Sequence, residues 1–127
     1  MIFDVEPMGK PRQTQRDRWK KRPAVLRYHA YRDAVRARSA PSGWEPKPGD
    51  HIIFRVKMPK SWSKKKRLSM IFQPHEQKPD LDNMIKAFLD CWEEDKHIWA
   101  ISAEKRWGVM PSIEVKRGRL DLLEEFP

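Results

Sequence analysis

Residues 78–90 read Lys78-Pro79-Asp80-Leu81-Asp82-Asn83-Met84-Ile85-Lys86-Ala87-Phe88-Leu89-Asp90. The apolar residues in and just after this stretch recur at helical spacing, which predicts a helix over residues 81–92. Its expected buried stripe consists of Leu81, Ile85, Phe88 and Trp92. Two carboxylates, Asp80 and Asp82, stand where the loop ending in Pro79 becomes this helix. The stretch therefore predicts a core helix with a pair of acids at its N-terminus.

The rest of the chain alternates strand and helix patterns. Strands are predicted over residues 2–6, 51–58, 97–107 and 112–117, and further helices over 24–38 and through the basic run Lys64-Lys65-Lys66-Arg67. The strand over 51–58 is the clearest, although Ile53 interrupts its alternation, as expected of a strand partly covered on both faces. The pattern predicts four strands and three helices.

Length and composition indicate one domain over residues 1–127 with a modest core. The hydrophobic fraction is 39% and the charged fraction 35%, so the core should be thin for this length. Self-association would be one way to bury more apolar surface.

The net charge of +9 is unevenly distributed. Residues 1–67 carry 19 Lys/Arg against 6 Asp/Glu, a net of +13, whereas residues 68–127 carry 8 against 12, a net of −4. A charge gradient without function is the simplest interpretation, but the asymmetry favours a polyanion-binding half joined to a cation-binding half. Nucleic acid is therefore the expected partner, and charge does not distinguish DNA from RNA.

Cysteine content and hydropathy indicate the cytoplasm. Cys91 is the only cysteine, which excludes an intrachain disulfide and a cysteine-rich zinc site. No apolar run approaches the roughly 20 residues of a membrane span, and the N-terminus is acidic where an export signal needs basic and then apolar residues. We expect a cytoplasmic protein with no membrane partner.

Two basic segments are candidates for contacts with a nucleic-acid backbone. The first follows Pro7 and could be a disordered arm or a loop that orders on nucleic acid, and the second opens the short helix after Ser63. A run of lysines is often only a solvated helix face. The predicted nucleic-acid-binding residues are Lys10, Arg12, Arg16, Lys64, Lys65, Lys66 and Arg67.

The acid pair has two interpretations. Asp is a preferred N-cap, and Lys86 is spaced to form an i+4 ion pair with Asp82, so both acids could be structural. A second acidic cluster, Glu93-Glu94-Asp95, falls at the predicted helix C-terminus, where negative charge opposes the helix dipole. Close carboxylates repel one another unless a cation compensates. A divalent ion held by Asp80, Asp82 and Asp95 would explain both clusters, and in a basic protein it points to metal-assisted phosphodiester cleavage.

Beyond this reasoning, the chain resembles the RusA family of Holliday-junction resolvases. That family shares a K-P-D-[LI]-D-N-x-x-K core, which residues 78–86 match in full, and a later D-D-x-Q-[IV] element, which resembles Glu94-Asp95-Lys96-His97-Ile98. The segments 58–67 and Gly9-Lys10-Pro11-Arg12 are similar to a prophage branch of the family. The resemblance extends in outline over the whole chain and most firmly over residues 58–107.

The resemblance implies a fold class of α/β (α+β), with a small mixed sheet of about four strands flanked by two or three helices in an intertwined homodimer. It implies Mg²⁺ or Mn²⁺ held by Asp80, Asp82 and Asp95, an essential Lys86, no small-molecule cofactor, and four-way DNA junctions as substrate in recombination and repair. Glu94 replaces the first acid of the family's D-D pair, so Glu94 is the alternative to Asp95 as third ligand.

Two other functions are compatible with the same residues. A non-catalytic basic DNA- or RNA-binding protein would use the acids only as caps and ion pairs. A metal nuclease could instead act on forks or flaps. Among the remaining polar and aromatic residues, His75 is a minor candidate site neighbour and His97 a strand surface residue, and the aromatic residues predicted for the core or a dimer interface are Trp62, Trp99 and Trp107.

Overall fold

The computed structural model describes residues 1–12, 22–92 and 96–118. Within them lie β1 (Ile2–Phe3), α1 (Pro23–Ser39), a 3-10 turn (Ala40–Ser42), β2 (His51–Lys57), α2 (Lys64–Met70), α3 (Leu81–Leu89), β3 (Ser102–Gly108) and β4 (Ser112–Lys116). The strands form one mixed sheet in the order β1-β4-β2-β3, which confirms the predicted fold class. No helix of this described part is long and apolar enough to cross a bilayer.

Strand β2 lies at the centre of the sheet's pairing. It runs parallel to β3, with His51 opposite Ser102, and antiparallel to β4, with Ile52 opposite Val115. A parallel pair needs a long crossover, and here α2 and α3 supply it. Strands β3 and β4 lie on opposite sides of β2, so the three residues that join them must cross the end of β2. A Cβ on Gly108 would lie 2.9 Å from the Cβ of Arg55, so glycine permits this close crossing.

One face of the sheet packs against α1 and α3. The fully buried ring of Phe88 joins these layers, with edge-to-face contacts at centroid distances of 5.5 Å to Phe3 and 6.3 Å to Phe54. The remaining members of this core cluster are Tyr28, Tyr31, Val35, Ile52, Met84, Ala87, Cys91, Ile113 and Val115. The two tyrosines of α1 therefore belong to the core.

The opposite face of the sheet is covered by charged side chains. Arg55 pairs with Glu114 at 2.7 Å, and Arg106 pairs with Glu104 at 3.2 Å. Ile53 lies on the same strand and is buried, with Glu104 and Glu114 as its partners on the neighbouring strands. The expectation that this strand is covered on both faces is confirmed, and ion pairs provide part of the second cover.

Helix α3 is shorter than predicted, and its buried face is rotated slightly about the helix axis from the predicted one. It ends at Leu89 instead of residue 92, because Cys91 and Trp92 donate to carbonyls three residues back, the tighter hydrogen bonds of a 3-10 turn. Its fully buried residues are Met84, Ala87 and Phe88. Leu81, Ile85 and Trp92 are only partly buried at the edges of the stripe.

Two strands are also shorter than predicted. Strand β1 covers Ile2–Phe3 rather than 2–6, and β3 begins at Ser102 rather than at residue 97. The partner of β3 starts at His51, opposite Ser102, so earlier residues have no neighbouring strand to pair with. His97 lies in a turn, not on a strand, and Trp99 is 74% exposed, so its assignment to the core is wrong.

Loss of the Phe88 ring should destabilise the whole fold. We expect Phe88→Ala to lower the free energy of unfolding by about 3–5 kcal/mol, because the cavity lies between α3 and the sheet. Urea unfolding followed by circular dichroism measures this as a lower midpoint at unchanged slope. Phe88→Leu should lose less, and equal stability of Phe88→Ala and the wild type would contradict the central position of this ring.

Candidate active site

The loop that carries the first acid is fixed to the outer edge of β3. Backbone hydrogen bonds of 2.9 Å join Phe72 and Gln73 to Trp107, and the His75 amide donates to the Lys105 carbonyl at 3.0 Å. The Lys105 ammonium then donates to the carbonyl oxygen of Pro79 at 2.8 Å and to that of Gln77. Strand β3 thus positions the backbone immediately before Asp80.

Asp80 and Asp82 lie at the start of α3, where their carboxylates have no partner among the described residues. Asp80 is the N-cap residue, with extended backbone angles, and its carbonyl accepts from the Met84 amide at 3.1 Å. Its carboxylate makes no capping hydrogen bond. Both side chains are exposed, and neither forms a hydrogen bond or ion pair within the described residues. The helix therefore presents two uncompensated carboxylates one residue apart.

Lys86 is not the ion-pair partner of Asp82. It lies exposed in the last turn of α3, and among the described residues its ammonium has no acidic partner. Asp90, four residues further on, instead pairs with Lys10 at 2.7 Å. The i+4 ion pair that would have given Lys86 a structural role is therefore not formed. The positive charge of Lys86, four residues after Asp82, is not offset by any described acid.

The third predicted acid, Asp95, and its alternative, Glu94, lie outside the described residues. In the part that is described, no three His, Cys, Asp or Glu side chains gather closely enough to hold a metal ion. Asp80 and Asp82 nevertheless offer the donors a hard ion needs, since their carboxylate oxygens are exposed and unengaged. These two carboxylates therefore fit Mg²⁺ or Mn²⁺, for which they would supply two of the ligands.

Some basic residues of α2 have contacts within the protein, and others have none among the described residues. Ser63 caps the helix, accepting from the Lys66 amide at 3.1 Å. Arg67 donates to the carbonyls of Pro59 and Trp62, at 3.0 and 3.3 Å, so its guanidinium holds the preceding turn. The Lys66 ammonium lies 4.4 Å from the Trp62 ring centroid. Lys64 and Lys65 are exposed and have no partner among the described residues.

The N-terminal basic segment is only partly described. Lys10 forms the ion pair with Asp90, which engages one of the three N–H donors of its ammonium group. Arg12 is exposed, and its carbonyl accepts from the Arg22 guanidinium. Arg16 lies outside the described residues. The role of these residues in binding nucleic acid stays a prediction.

His75 is buried against aromatic rings, and its place as a neighbour of the site stays a prediction. His75 is 4% exposed, and its ring lies tilted at 60° to that of Trp107 with the centroids 4.4 Å apart; the Trp107 centroid in turn lies 4.7 Å from that of Trp62. Its Nδ1 is buried without a hydrogen-bond partner in the described part of the chain. Desolvation, assisted by the Lys105 charge, lowers the pKa of His75. Trp107 is buried as predicted, and the interface role suggested for Trp62 and Trp99 stays a prediction.

Sequence reasoning missed the side chains that position the site. Lys105 was indistinguishable from any other charged strand residue, because its contacts are to carbonyls nearly 30 residues away in the chain. Asn83 donates to the Lys10 carbonyl at 3.3 Å, and Gly9 packs against it. The only available signal was the coincidence of Asn83 with the acid motif and of Gly9 with a short Gly-Lys-Pro pattern.

Comparison with known proteins gives one finding. A protein-family model described as Endodeoxyribonuclease RusA matches residues 4–116, which is most of the chain. No curated protein and no solved structure matched. The match includes the acid pair, Lys86, the basic helix α2 and the loop fixed to β3.

Protonation of His75 should weaken the fold at mildly acidic pH. Its folded-state pKa is lowered, so below the ordinary histidine value of about 6.5 the unfolded chain binds a proton that the folded chain does not. Stability should then fall as the pH drops from about 7.5 to about 5.5, by at most roughly 1.4 kcal/mol per pH unit. Urea unfolding across this range measures the slope, and His75→Phe should flatten it.

The acidic groups with lowered pKa values change the stability of the fold only at lower pH. Hydrogen bonds from Arg106 and Arg55 lower the pKa values of Glu104 and Glu114, so their contribution is lost only below about pH 4.5. His97→Gln, at an exposed position, is the matched control and should keep the wild-type slope. The same slope in His75→Phe and the wild type would show that His75 is not the titrating group.

Proposed function

The chain belongs to the RusA endodeoxyribonuclease family, and from this premise we propose that it resolves four-way DNA junctions by divalent-metal-dependent phosphodiester hydrolysis, in DNA recombination and repair. The proposal rests mainly on the lack of described partners for the Asp80 and Asp82 carboxylates. Both carboxylates stand exposed at the start of α3, without a cap hydrogen bond or ion pair in the described residues. Repulsion between them disfavours this arrangement unless a cation is bound.

In this proposal Asp80, Asp82 and Asp95, or Glu94 in its place, hold Mg²⁺ or Mn²⁺. The bound ion supplies an activated water and offsets negative charge on the leaving oxygen. Lys86 contacts the scissile or neighbouring phosphate, which is consistent with its lack of an acidic partner in the described residues. Lys105 acts indirectly, because it fixes the backbone that carries Asp80.

Electrostatic attraction to the DNA backbone supplies most of the affinity. Residues 1–67 contain 19 of the 27 Lys and Arg residues. On α2 the exposed Lys64 and Lys65 are best placed to contact phosphates directly, with Lys66 beside them. Arg67 contributes by shaping the turn that presents them. Each phosphate neutralised steepens the salt dependence of binding.

The acid pair also separates this function from the alternatives. Asp82→Asn should keep junction affinity, because it removes no positive charge, and should lose cleavage by more than the roughly 10–100-fold typical of changes around a metal's ligands. Binding is measured in metal-free buffer by gel shift, and cleavage in single turnover after Mg²⁺ addition. Glu76→Gln, at an exposed acid in the preceding loop, is the matched control and should retain cleavage.

The substrate panel decides the finer assignment. Four-way junction, fork, flap, duplex and single-stranded DNA of equal length are compared under the same conditions. Preference for the junction supports the proposal, whereas preference for forks or flaps identifies a different nuclease. Equal cleavage of every substrate would refute structure selectivity, and absence of cleavage by both wild type and Asp82→Asn would indicate a binding protein.

A homodimer would match the two symmetry-related strands of a four-way junction with two active sites. Several large apolar side chains on the described surface remain open to solvent and support further association: Leu68, Phe72, Trp99, Val109 and Met110. We expect sedimentation at micromolar concentration to give twice the 15.2 kDa mass of the chain. A mass near 15.2 kDa would exclude a stable dimer at that concentration.

A further inference from the structure

The N-terminal segment 9–12 lies directly against the residues that flank the acid pair. A Cβ on Gly9 would lie 2.5 Å from the Asn83 Nδ2 atom and 2.9 Å from the Pro79 Cβ atom. Pro79 immediately precedes Asp80, and Asn83 immediately follows Asp82. Contacts this short mean that the segment passes beside the start of α3 with no room for a side chain at residue 9.

Two polar contacts hold the segment along α3. The Asn83 amide donates to the Lys10 carbonyl at 3.3 Å, and the Lys10 ammonium donates to Asp90 at 2.7 Å. Asn83 and Asp90 are seven residues apart, which is about two helical turns and places them on one face of α3. The segment is therefore fixed near both ends of the helix, with its backbone at one contact and its charge at the other.

The ion pair between Lys10 and Asp90 is partly shielded from solvent. The two side chains are 34% and 24% exposed. Lys10 therefore differs from Lys64 and Lys65, whose ammonium groups have no acidic partner in the described residues. An ammonium group already paired with a carboxylate contributes little to attraction of a phosphate.

The basic residue that follows these contacts along the segment is Arg12. It follows Lys10 by two residues, so the two Cα atoms lie within about 7 Å of each other. Arg12 is exposed, and its carbonyl is bonded by the Arg22 guanidinium. The backbone that carries Arg12 is thus bonded at the Lys10 carbonyl by Asn83 and at its own carbonyl by Arg22.

We infer that Gly9, Lys10, Asn83 and Asp90 are positioning residues, which dock the segment 9–12 on α3 and so set the place of Arg12 relative to Asp80 and Asp82. The inference rests on the proposed nuclease function for its consequence, but the docking itself rests on the contacts above. Lys10 then acts through its ion pair with Asp90, and not through contact with DNA.

Charge reversal of the ion pair distinguishes these roles of Lys10. Lys10→Glu breaks the pair, whereas Lys10→Glu combined with Asp90→Lys restores it in the opposite direction at unchanged net charge. We expect the single variant to lose junction affinity in metal-free buffer and roughly 10–100-fold in single-turnover cleavage, as misplacement of a substrate-orienting group does. The double variant should recover both to within about threefold of wild type, which lies below the smallest misplacement loss expected.

Matched controls separate positioning from charge and from folding. Lys57→Glu makes the same charge change at an exposed residue of β2 and reports the general electrostatic effect. Gly9→Ala changes no charge, so it should lower the cleavage rate while leaving the salt slope of binding unchanged. Thermal unfolding of each variant identifies any loss caused by a weakened fold, and Gly9→Ala or the double variant then gives the deciding result.

The inference is overturned if the double variant is as defective as Lys10→Glu alone, and Lys10→Met lowers the log–log salt slope by about one, the result for a direct phosphate contact. It is also overturned if Gly9→Ala leaves affinity and cleavage unchanged. Failure of the proposed function looks different, because wild-type protein would then cleave no DNA substrate while the charge reversal could still restore affinity in metal-free buffer.

Discussion

The structure depends on the burial of one face of α3 against the sheet. A helix of nine residues has too few backbone hydrogen bonds to be stable in water by itself, so its existence rests on packing. Met84, Ala87 and Phe88 are completely buried, and the Phe88 ring contacts both strands and loops of the core. Once this face is buried, the acids and Lys86 on the remaining surface of the helix must point to solvent.

The same helix is fixed from two further directions. Lys105 on β3 binds the carbonyls of the loop before it, and the segment 9–12 lies along its outer side. The first contact is to the Pro79 carbonyl just before Asp80, and the second is donated by the side chain of Asn83 just after Asp82, so neither engages the carboxylates. The surroundings therefore restrain the position of Asp80 and Asp82 while leaving their oxygens unengaged by any described residue. Restraint without neutralisation is the arrangement that a cation-binding centre requires.

Several charged groups elsewhere in the molecule form ion pairs. On the second face of the sheet, Arg55 and Arg106 are matched with glutamates, and Asp50 is buried with Arg117 at 2.7 Å. The described acids Asp50, Glu104 and Glu114 therefore have basic partners, whereas Asp80 and Asp82 have none among the described residues.

Local patterns in the sequence predicted the elements that form from local interactions. The helix over 24–38 and the strand over 51–58 were confirmed, because periodicity depends on neighbours in the chain. Errors occurred where a distant partner decides the outcome. Strand β3 begins only where β2 offers hydrogen bonds, and α3 ends early in a 3-10 turn whose Trp92 packs on Phe3 and Trp44.

By itself, the sequence determined the charge asymmetry, the order of strands and helices, and the acid motif with Lys86, since all of these are properties of residue type and spacing. Only the tertiary structure decided that the Asp80 carboxylate makes no capping hydrogen bond, that Lys86 is unpaired with Asp82, and that Lys10 binds Asp90 from 80 residues away. The physical reason is that a hydrogen bond or ion pair depends on distance in space. That distance is set by how α3, β3 and the N-terminal segment pack together, which no local pattern contains.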